Sequence, residues 1–445
     1  MAIKVSMISL GCSKNQVDAE HLLATLAQNG FTLCGDVSES DVVIINTCGF
    51  IQSAKEEAIE NILEMAALKK EGTIKGIVVT GCLAERYRDE IIKEMDEVDV
   101  VLGIGSNDTI CEAVKRAAAG GRMTAYGEKE SLCLSGERVL TTLPYYAYLK
   151  IAEGCDNCCT YCAIPQIRGR FRSRPMEELI EEAEWLASQG VKELVVVAQD
   201  TTRYGEDLYG EYKLAALLKE LCKIEGFRWI RTLYCYPDKI TEELIDAVAS
   251  EKKLVKYLDI PIQHCEEAVL RNMNRPMDRA SLTALMKKLR DRIPGLTLRT
   301  TVMVGFPGET EEQFTALSEF IEEIRFDRLG CFAFSAEEGT VAADMDGQID
   351  ENVKKRREEI IMTQQSIIME QLNQEKVGER LLCVVEGFDR YGECYFGRTE
   401  ADAPDVDGKI FFTSEDSLKM GDFVKVCVNE VMDYDLMGEC VSYHR

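Results

Sequence analysis

Histidine is almost missing from this chain: His21, His264 and His444 are the only three in 445 residues. Zinc sites usually draw four nitrogen or sulfur ligands from paired Cys and His spacings, so a zinc knuckle would have to be built almost from cysteine alone. Positive charge is also scarce. The 52 Lys and Arg face 78 Asp and Glu, a net charge of -26, and such a field repels polyphosphate and disfavours a broad electrostatic grip on RNA. A basic protein is the easier partner. No apolar stretch approaches the ~20 residues that span a bilayer, and the start, Met1-Ala-Ile-Lys-Val-Ser-Met, lacks the pattern of a signal peptide. The expectation is a cytoplasmic protein without a membrane partner, long enough for two to four domains.

Against these absences stand 18 cysteines. In a reducing compartment they are expected as thiols, metal ligands or core residues and not as disulfides. Cys34, Cys111, Cys222, Cys331, Cys383 and Cys427 read as packing residues. Cys155, Cys159 and Cys162 are different, forming a C-x3-C-x2-C triad at the end of the apolar run Tyr145 to Ile151. Three thiolates on an iron-sulfur cluster leave one iron open to a cofactor or substrate, whereas four close it. The spacing resembles that of radical S-adenosylmethionine (AdoMet) enzymes. Cys158 offers a second register with Cys155 or Cys162; it reads as a non-ligand.

The first ~110 residues alternate apolar strands (Ile3 to Leu10, Val42 to Asn46, Gly76 to Thr80, Val98 to Leu102) with helices (Gln16 to Asn29, Gln52 to Lys70, Glu85 to Glu94), which predicts an α/β, doubly wound parallel sheet. Gly103-Ile-Gly105 lacks the third glycine of a dinucleotide loop and reads as a turn. Residues 120–142 read as a linker after an N-terminal domain of residues 1–119. From Tyr145 to about Thr340 a strand-then-helix unit repeats six times, an incomplete version of the eight-fold barrel with its active site at the carboxyl ends of the strands. With the charged helix after Asp350 this makes a central partial barrel, residues 143–374. Residues 375–445 read as a small antiparallel β-barrel of the kind that carries substrate recognition.

A second cysteine set follows from placement. Cys12, Cys48 and Cys82 each lie just past an apolar strand, and in a parallel sheet the strand ends share one edge, where open α/β sheets bind ligands. Three thiols far apart in sequence would converge there. A second three-cysteine cluster is the functional reading; chance in a cysteine-rich chain is the other.

With both triads, the chain resembles the methylthiotransferase family of radical AdoMet enzymes over essentially its whole length. The resemblance rests on Ser9-Leu-Gly-Cys-Ser-Lys-Asn-Gln-Val-Asp18, on Tyr145 to Gly169 with Ala163-Ile-Pro-Gln-Ile-Arg-Gly, on Ala198-Gln-Asp-Thr-Thr-Arg-Tyr-Gly205 and on Ala401-Asp-Ala-Pro-Asp-Val-Asp-Gly408. It implies an N-terminal methylthiotransferase domain, a radical AdoMet partial barrel and a C-terminal domain of the TRAM type. Within the family these stretches are most similar to the branch that methylthiolates the β-carbon of an aspartate in small-subunit ribosomal protein twelve. The implied cofactors are AdoMet and two 4Fe-4S clusters: one on Cys155, Cys159 and Cys162, where AdoMet is cleaved to a radical, the other on Cys12, Cys48 and Cys82, where sulfide is methylated before transfer. An electron donor and a sulfur source are implied as partners.

By the same resemblance, Tyr161, Gln199, Gln263, Arg299 and Phe334 are candidates to line the AdoMet pocket, with barrel-mouth packing as the alternative. The run Arg168 to Arg174 could grip a carboxylate or be a solvated basic loop. His264 with Cys265 reads as buried packing. The rival substrate is an adenosine of tRNA, modified by a sister enzyme with the same two clusters; a non-catalytic iron-sulfur protein on the ribosome is the rival class. Charge favours protein over tRNA, because Lys376 to Arg445 carries eight basic against fifteen acidic residues. Asp402, Asp405 and Asp407 are expected to be part of an acidic surface that attracts a basic protein.

Overall fold

The computed structural model describes residues 2–444. Its N-terminal unit is a wholly parallel sheet of six strands: β1 (Lys4–Ser9), β2 (Thr32–Leu33), β3 (Val42–Thr47), β4 (Gly76–Gly81), β5 (Val100–Leu102) and β6 (Met123–Ala125), in spatial order β2-β1-β3-β4-β5-β6. Every residue of β3 and β4 is buried, as central strands covered on both faces must be, which is why they read as unbroken apolar runs. One face is covered by α1 (Ser13–Gln28) and the helix Ile110–Ala118, the other by α2 (Gln52–Lys70) and α3 (Cys82–Tyr87), giving a separate core on each side. The helix expected over Glu85 to Glu94 is two helices, because Arg88 takes φ 40° and breaks it. The expected linker is built in: it supplies β6, and Arg138 is buried between Glu20 and Glu182.

The central unit is the expected partial barrel of six parallel strands. Tyr146–Lys150, Glu193–Val197 and Trp229–Thr232 form one sheet, and Tyr257–Asp259, Thr297–Val304 and Arg328–Ala333 another. A bridge between Ile230 and Leu254 joins their edges. Helices such as Met176–Ser188 and Glu311–Ile324 cover the outside and share one large core with the strands. The long helix Glu351–Gln374 leads to a closed five-strand barrel formed by residues 380–444.

This last barrel closes the amino ends of the central strands with charge. Glu193 lies between Arg231 and Arg398, Arg328 pairs with Asp402 at 2.6 Å, and the Tyr257 hydroxyl donates to Asp407 at 2.7 Å. The acidic stretch 401–408 therefore differs from the expected substrate-facing surface. Asp402 is buried, Asp407 is engaged by Tyr257 and Arg299, and Asp405, though exposed, accepts from the Tyr146 hydroxyl at 2.8 Å. Its carboxylates answer arginines and tyrosines of the central barrel. No helix is long and apolar enough to cross a membrane among the described residues.

Candidate active site

The carboxyl end of the first barrel strand runs through Ala152–Glu153, which pairs with Arg172–Ser173 to close the loop carrying the triad. A turn from Cys162 N–H to the Cys159 carbonyl, at 3.0 Å, and bonds from Thr160 to the Met273 and Asn272 carbonyls fix that loop on the helix end near residue 273. The Tyr236 hydroxyl lies 2.9 Å from Cys159 Sγ, and Arg275 reaches the Tyr161 hydroxyl at 3.3 Å while covering the Tyr236 ring. Burial pushes the Cys155 thiol up to about 11. It raises Cys162 further, and the nearby Cys159 and Cys155 add to that shift. Cys158 is exposed with φ 50°, held at its carbonyl by Asn274.

The second triad is set by strand order. β1, β3 and β4 are immediate neighbours, so Cys12, Cys48 and Cys82 stand at three adjacent strand ends; with strands about 4.8 Å apart, they gather within about one nanometre. Gly11 (φ 90°) is required here, since a Cβ on it would meet Cys48 Cβ at 2.6 Å and Cys48 Sγ at 3.0 Å. Gly81 (φ 93°) likewise lets β4 end against the Thr47 carbonyl, 2.4 Å from where a Cβ would stand. Asn15 ties these ends together, donating to the Leu10 carbonyl at 2.8 Å and to the Thr47 carbonyl at 3.2 Å. Burial pushes the Cys82 thiol up to about 12, against the pull of Arg168, and burial also raises Cys48. Burial acts on Cys12 too, but the charges of Lys14 and Arg168 bring its thiol below the usual value.

One buried ionic bridge joins the two triads. Arg168, just past Cys162, bonds Asp18 of α1 and Glu153 in front of Cys155, donates to the Asn15 side chain at 3.0 Å, and donates to Cys82 Sγ at 3.2 Å. Lys150 bonds the same Asp18 and Glu153. Despite burial, Lys150 and Arg168 hold the Glu153 carboxyl down at about 2. Such a cluster is tolerated because every charge has partners.

The remaining sequence candidates divide. Tyr161 stands beside the barrel triad. Gln199 donates to Glu153 at 2.7 Å and leaves its amide oxygen buried without a partner. Gln263 sits at a strand end with φ 70°, bridged to Val302. Arg299 is occupied by Asp259 and Asp407, and Phe334 is buried against Phe306 at 5.5 Å. In the run from Arg168, Arg168 and Arg174 are buried ion-pair partners and Arg172 donates to backbone carbonyls, so only Arg170, paired with Asp156, is solvated. His264 is buried beside Glu309, as packing. Asn15, Asp18, Lys150, Glu153, Tyr236 and Arg275 escaped the sequence reading. The available signal was charge at the end of an otherwise apolar strand, at Lys150 and Glu153.

Each triad offers three thiols, the number that leaves one iron of a cluster open. Among the described residues no three His, Cys, Asp or Glu side chains are close enough to hold a single metal ion. The thiolates of a cluster each bind a different iron and stand farther apart.

Family models match in chain order: Uncharacterized protein family UPF0004 at residues 4–103, the Radical SAM superfamily at residues 149–321 and a TRAM domain at residues 377–441. The chain is 48% identical to ribosomal protein uS12 methylthiotransferase RimO of Thermoanaerobacter sp. (strain X514), over 98% of this chain and 99% of that protein. It is 49% identical to the protein of the same name from Acetivibrio thermocellus, over 99% of both. Among solved structures, the radical S-adenosylmethionine methyltransferase TsrM from Kitasatospora setae shares the fold, with a TM-score of 0.56 at 16% identity over 75% of each chain. The chain belongs to the ribosomal protein uS12 methylthiotransferase family of radical AdoMet enzymes.

Proposed function

We propose that this enzyme transfers a methylthio group to the β-carbon of one aspartate in ribosomal protein uS12, with Cys155, Cys159 and Cys162 holding one 4Fe-4S cluster and Cys12, Cys48 and Cys82 a second. What supports the reading is the buried ionic network by which Arg168 links Cys82 and Asp18 to Glu153, in a chain matching named relatives over nearly its full length. When bound, the clusters and AdoMet supply what no side chain can: cleavage of an unactivated C–H bond at the barrel site, and a methylated sulfur at the other.

The chain's own residues orient and insulate these groups. Tyr236 and Arg275 hold Cys159, and Arg168 carries positive charge to Cys82 while its carboxylate partners fix its position. Gln199, with its free buried oxygen, is set to accept a hydrogen bond from AdoMet, and Tyr161 and Gln263 complete that wall. Arg299 and Phe334 are the weaker members of the set, being held by internal partners. The C-terminal barrel keeps recognition on its outer face, where Phe388 and Tyr391 are exposed. The reaction needs an external electron donor and a sulfur source. We place the enzyme in the cytoplasm, where its ribosomal substrate is, and the net charge of -26 favours a protein substrate over tRNA.

The test is a competition. Anaerobically reconstituted, reduced enzyme is offered uS12 and tRNA together with AdoMet and sulfide, and products are read by mass spectrometry. Methylthioaspartate in uS12 is expected; a methylthio group on adenosine instead would overturn the substrate assignment.

A further inference from the structure

Among the described residues eleven Lys and Arg side chains are buried, and nine of them have a carboxylate within ion-pair distance. The two that do not are Lys14 and Arg275, and each stands beside one of the cysteine triads. Arg275 has other partners, including the Tyr161 hydroxyl and the Pro261 carbonyl. Lys14 has much less. Its residue is 7% exposed and forms no ion pair among the described residues, and its ammonium lies 3.3 Å from the centre of the Tyr234 ring. A cation–π contact offsets part of the cost of burying an ammonium but supplies no carboxylate to its hydrogen-bond donors, an expensive arrangement unless something else does.

Position says what could. Lys14 follows Cys12 by two residues in the first turn of α1, whereas Tyr234 precedes by two residues Tyr236, whose hydroxyl touches Cys159. The contact between Lys14 and Tyr234 therefore joins the chain segments that carry the two triads, the region the reacting side chain must enter if a radical made at one site is to meet sulfur held at the other.

We propose that Lys14 binds the carboxylate of the target aspartate and so selects aspartate as the residue modified. The inference rests on the substrate reading above. The carboxylate carbon is bonded directly to the β-carbon, so anchoring the carboxylate oxygens holds the C–H bond that must be broken close to a rigid contact. The Tyr234 ring holds the ammonium in place before substrate arrives. An asparagine at the same position would present a neutral amide and leave the buried charge unanswered.

The experiment is a cycle between enzyme and substrate. Reconstituted wild-type enzyme, Lys14→Met and Lys14→Arg are titrated with uS12 carrying aspartate or asparagine at the target position, and dissociation constants and iron content are measured on the same preparations. Wild type and Lys14→Arg should prefer aspartate by roughly ten-fold or more, the scale of a buried charge pair losing one partner, and Lys14→Met should lose the preference. Equal weakening of both substrates by Lys14→Met, with iron retained, overturns the proposal. So does iron loss in Lys14→Met that Lys14→Arg restores, because the charge would then serve the cysteines. If wild type binds neither form of uS12, the substrate reading itself falls and takes this one with it.

Discussion

Arg168 is the residue on which the arrangement turns, because it joins Asp18 and Cys82 of the N-terminal unit to Glu153 of the barrel, while Lys150 bonds the same two carboxylates but reaches no cysteine. Replacing it with Gln would leave two buried carboxylates with Lys150 as their only cation, and breaking such a network costs about 3–5 kcal/mol. Arg168→Gln should therefore lower the unfolding midpoint in urea and expose the contact between α1 and the first barrel strand to proteolysis. A variant as stable as wild type would show that the bridge contributes nothing. Cys158 gives the opposite expectation. Exposed at a backbone position of φ 50°, it should be replaceable by Ala with the full iron content kept, whereas joint replacement of Cys155, Cys159 and Cys162 should remove about half of the roughly eight irons of two 4Fe-4S clusters. Of the cysteines expected to pack, Cys331 and Cys383 are buried and Cys111 and Cys222 lie half-buried at core edges, whereas Cys34 and Cys427 join no core among the described residues. The role of Arg168 was not legible in the sequence, since an arginine in a basic run looks solvated until its partner 150 residues away is brought to it.

At the scale of elements, the auxiliary triad is a product of strand order. Nothing local in Leu10 to Ser13 marks Cys12 as a neighbour of Cys48 and Cys82; adjacency of β1, β3 and β4 does. Gly11 is the local condition for that adjacency. Gly11→Ala combines an unfavourable positive φ with a Cβ driven into Cys48, and should cost about 1–3 kcal/mol. Because both terms fall on Cys12 and Cys48, the variant should lose the iron of that site while still cleaving AdoMet to 5'-deoxyadenosine. Iron content and deoxyadenosine yield on one preparation check this, and equal loss of both would point to general unfolding. Apolar runs made the strands and most helices readable to within a few residues, because buried parallel strands and amphipathic helices write their periods into the sequence. The break at Arg88 was not readable. Glu85 to Glu94 keeps helical composition throughout, and the turn comes from a backbone conformation adopted at one non-glycine residue.

For the whole molecule, the C-terminal barrel is a structural stopper at one end of the central barrel, while the N-terminal sheet faces the other. Its acidity looked like a surface for a basic partner because composition does not say which way a carboxylate points. Asp402→Asn should accordingly destabilise the protein by about 3–5 kcal/mol through the orphaned Arg328, measured by thermal melting. An effect confined to substrate binding would restore the acidic-surface reading. The same contact has a pH signature. Burial opposes ionisation of Glu193 and Asp402, but Arg398 and Arg231 hold the first carboxyl, and Arg328 and Lys376 the second, below the usual carboxylate range. A carboxyl depressed in the folded state stabilises it fully above the unfolded value of roughly 4, and that stability is lost as pH falls through the lower, folded value. Docking should thus be constant from neutral pH down to the ordinary carboxylate range and fail only below it. Hydrogen exchange followed by mass spectrometry over a descending pH series should show protection lost first in 399–413 and at the amino ends of the central strands, before the N-terminal sheet opens. Glu193→Gln should be less stable at neutral pH and show a flatter acid dependence, since its amide neither neutralises the two arginines nor titrates. If the variant and wild type lose protection along the same curve, the ion pairs at Glu193 are not what holds the two barrels together, and packing of Trp229 against Phe423 at 4.8 Å would have to carry that contact.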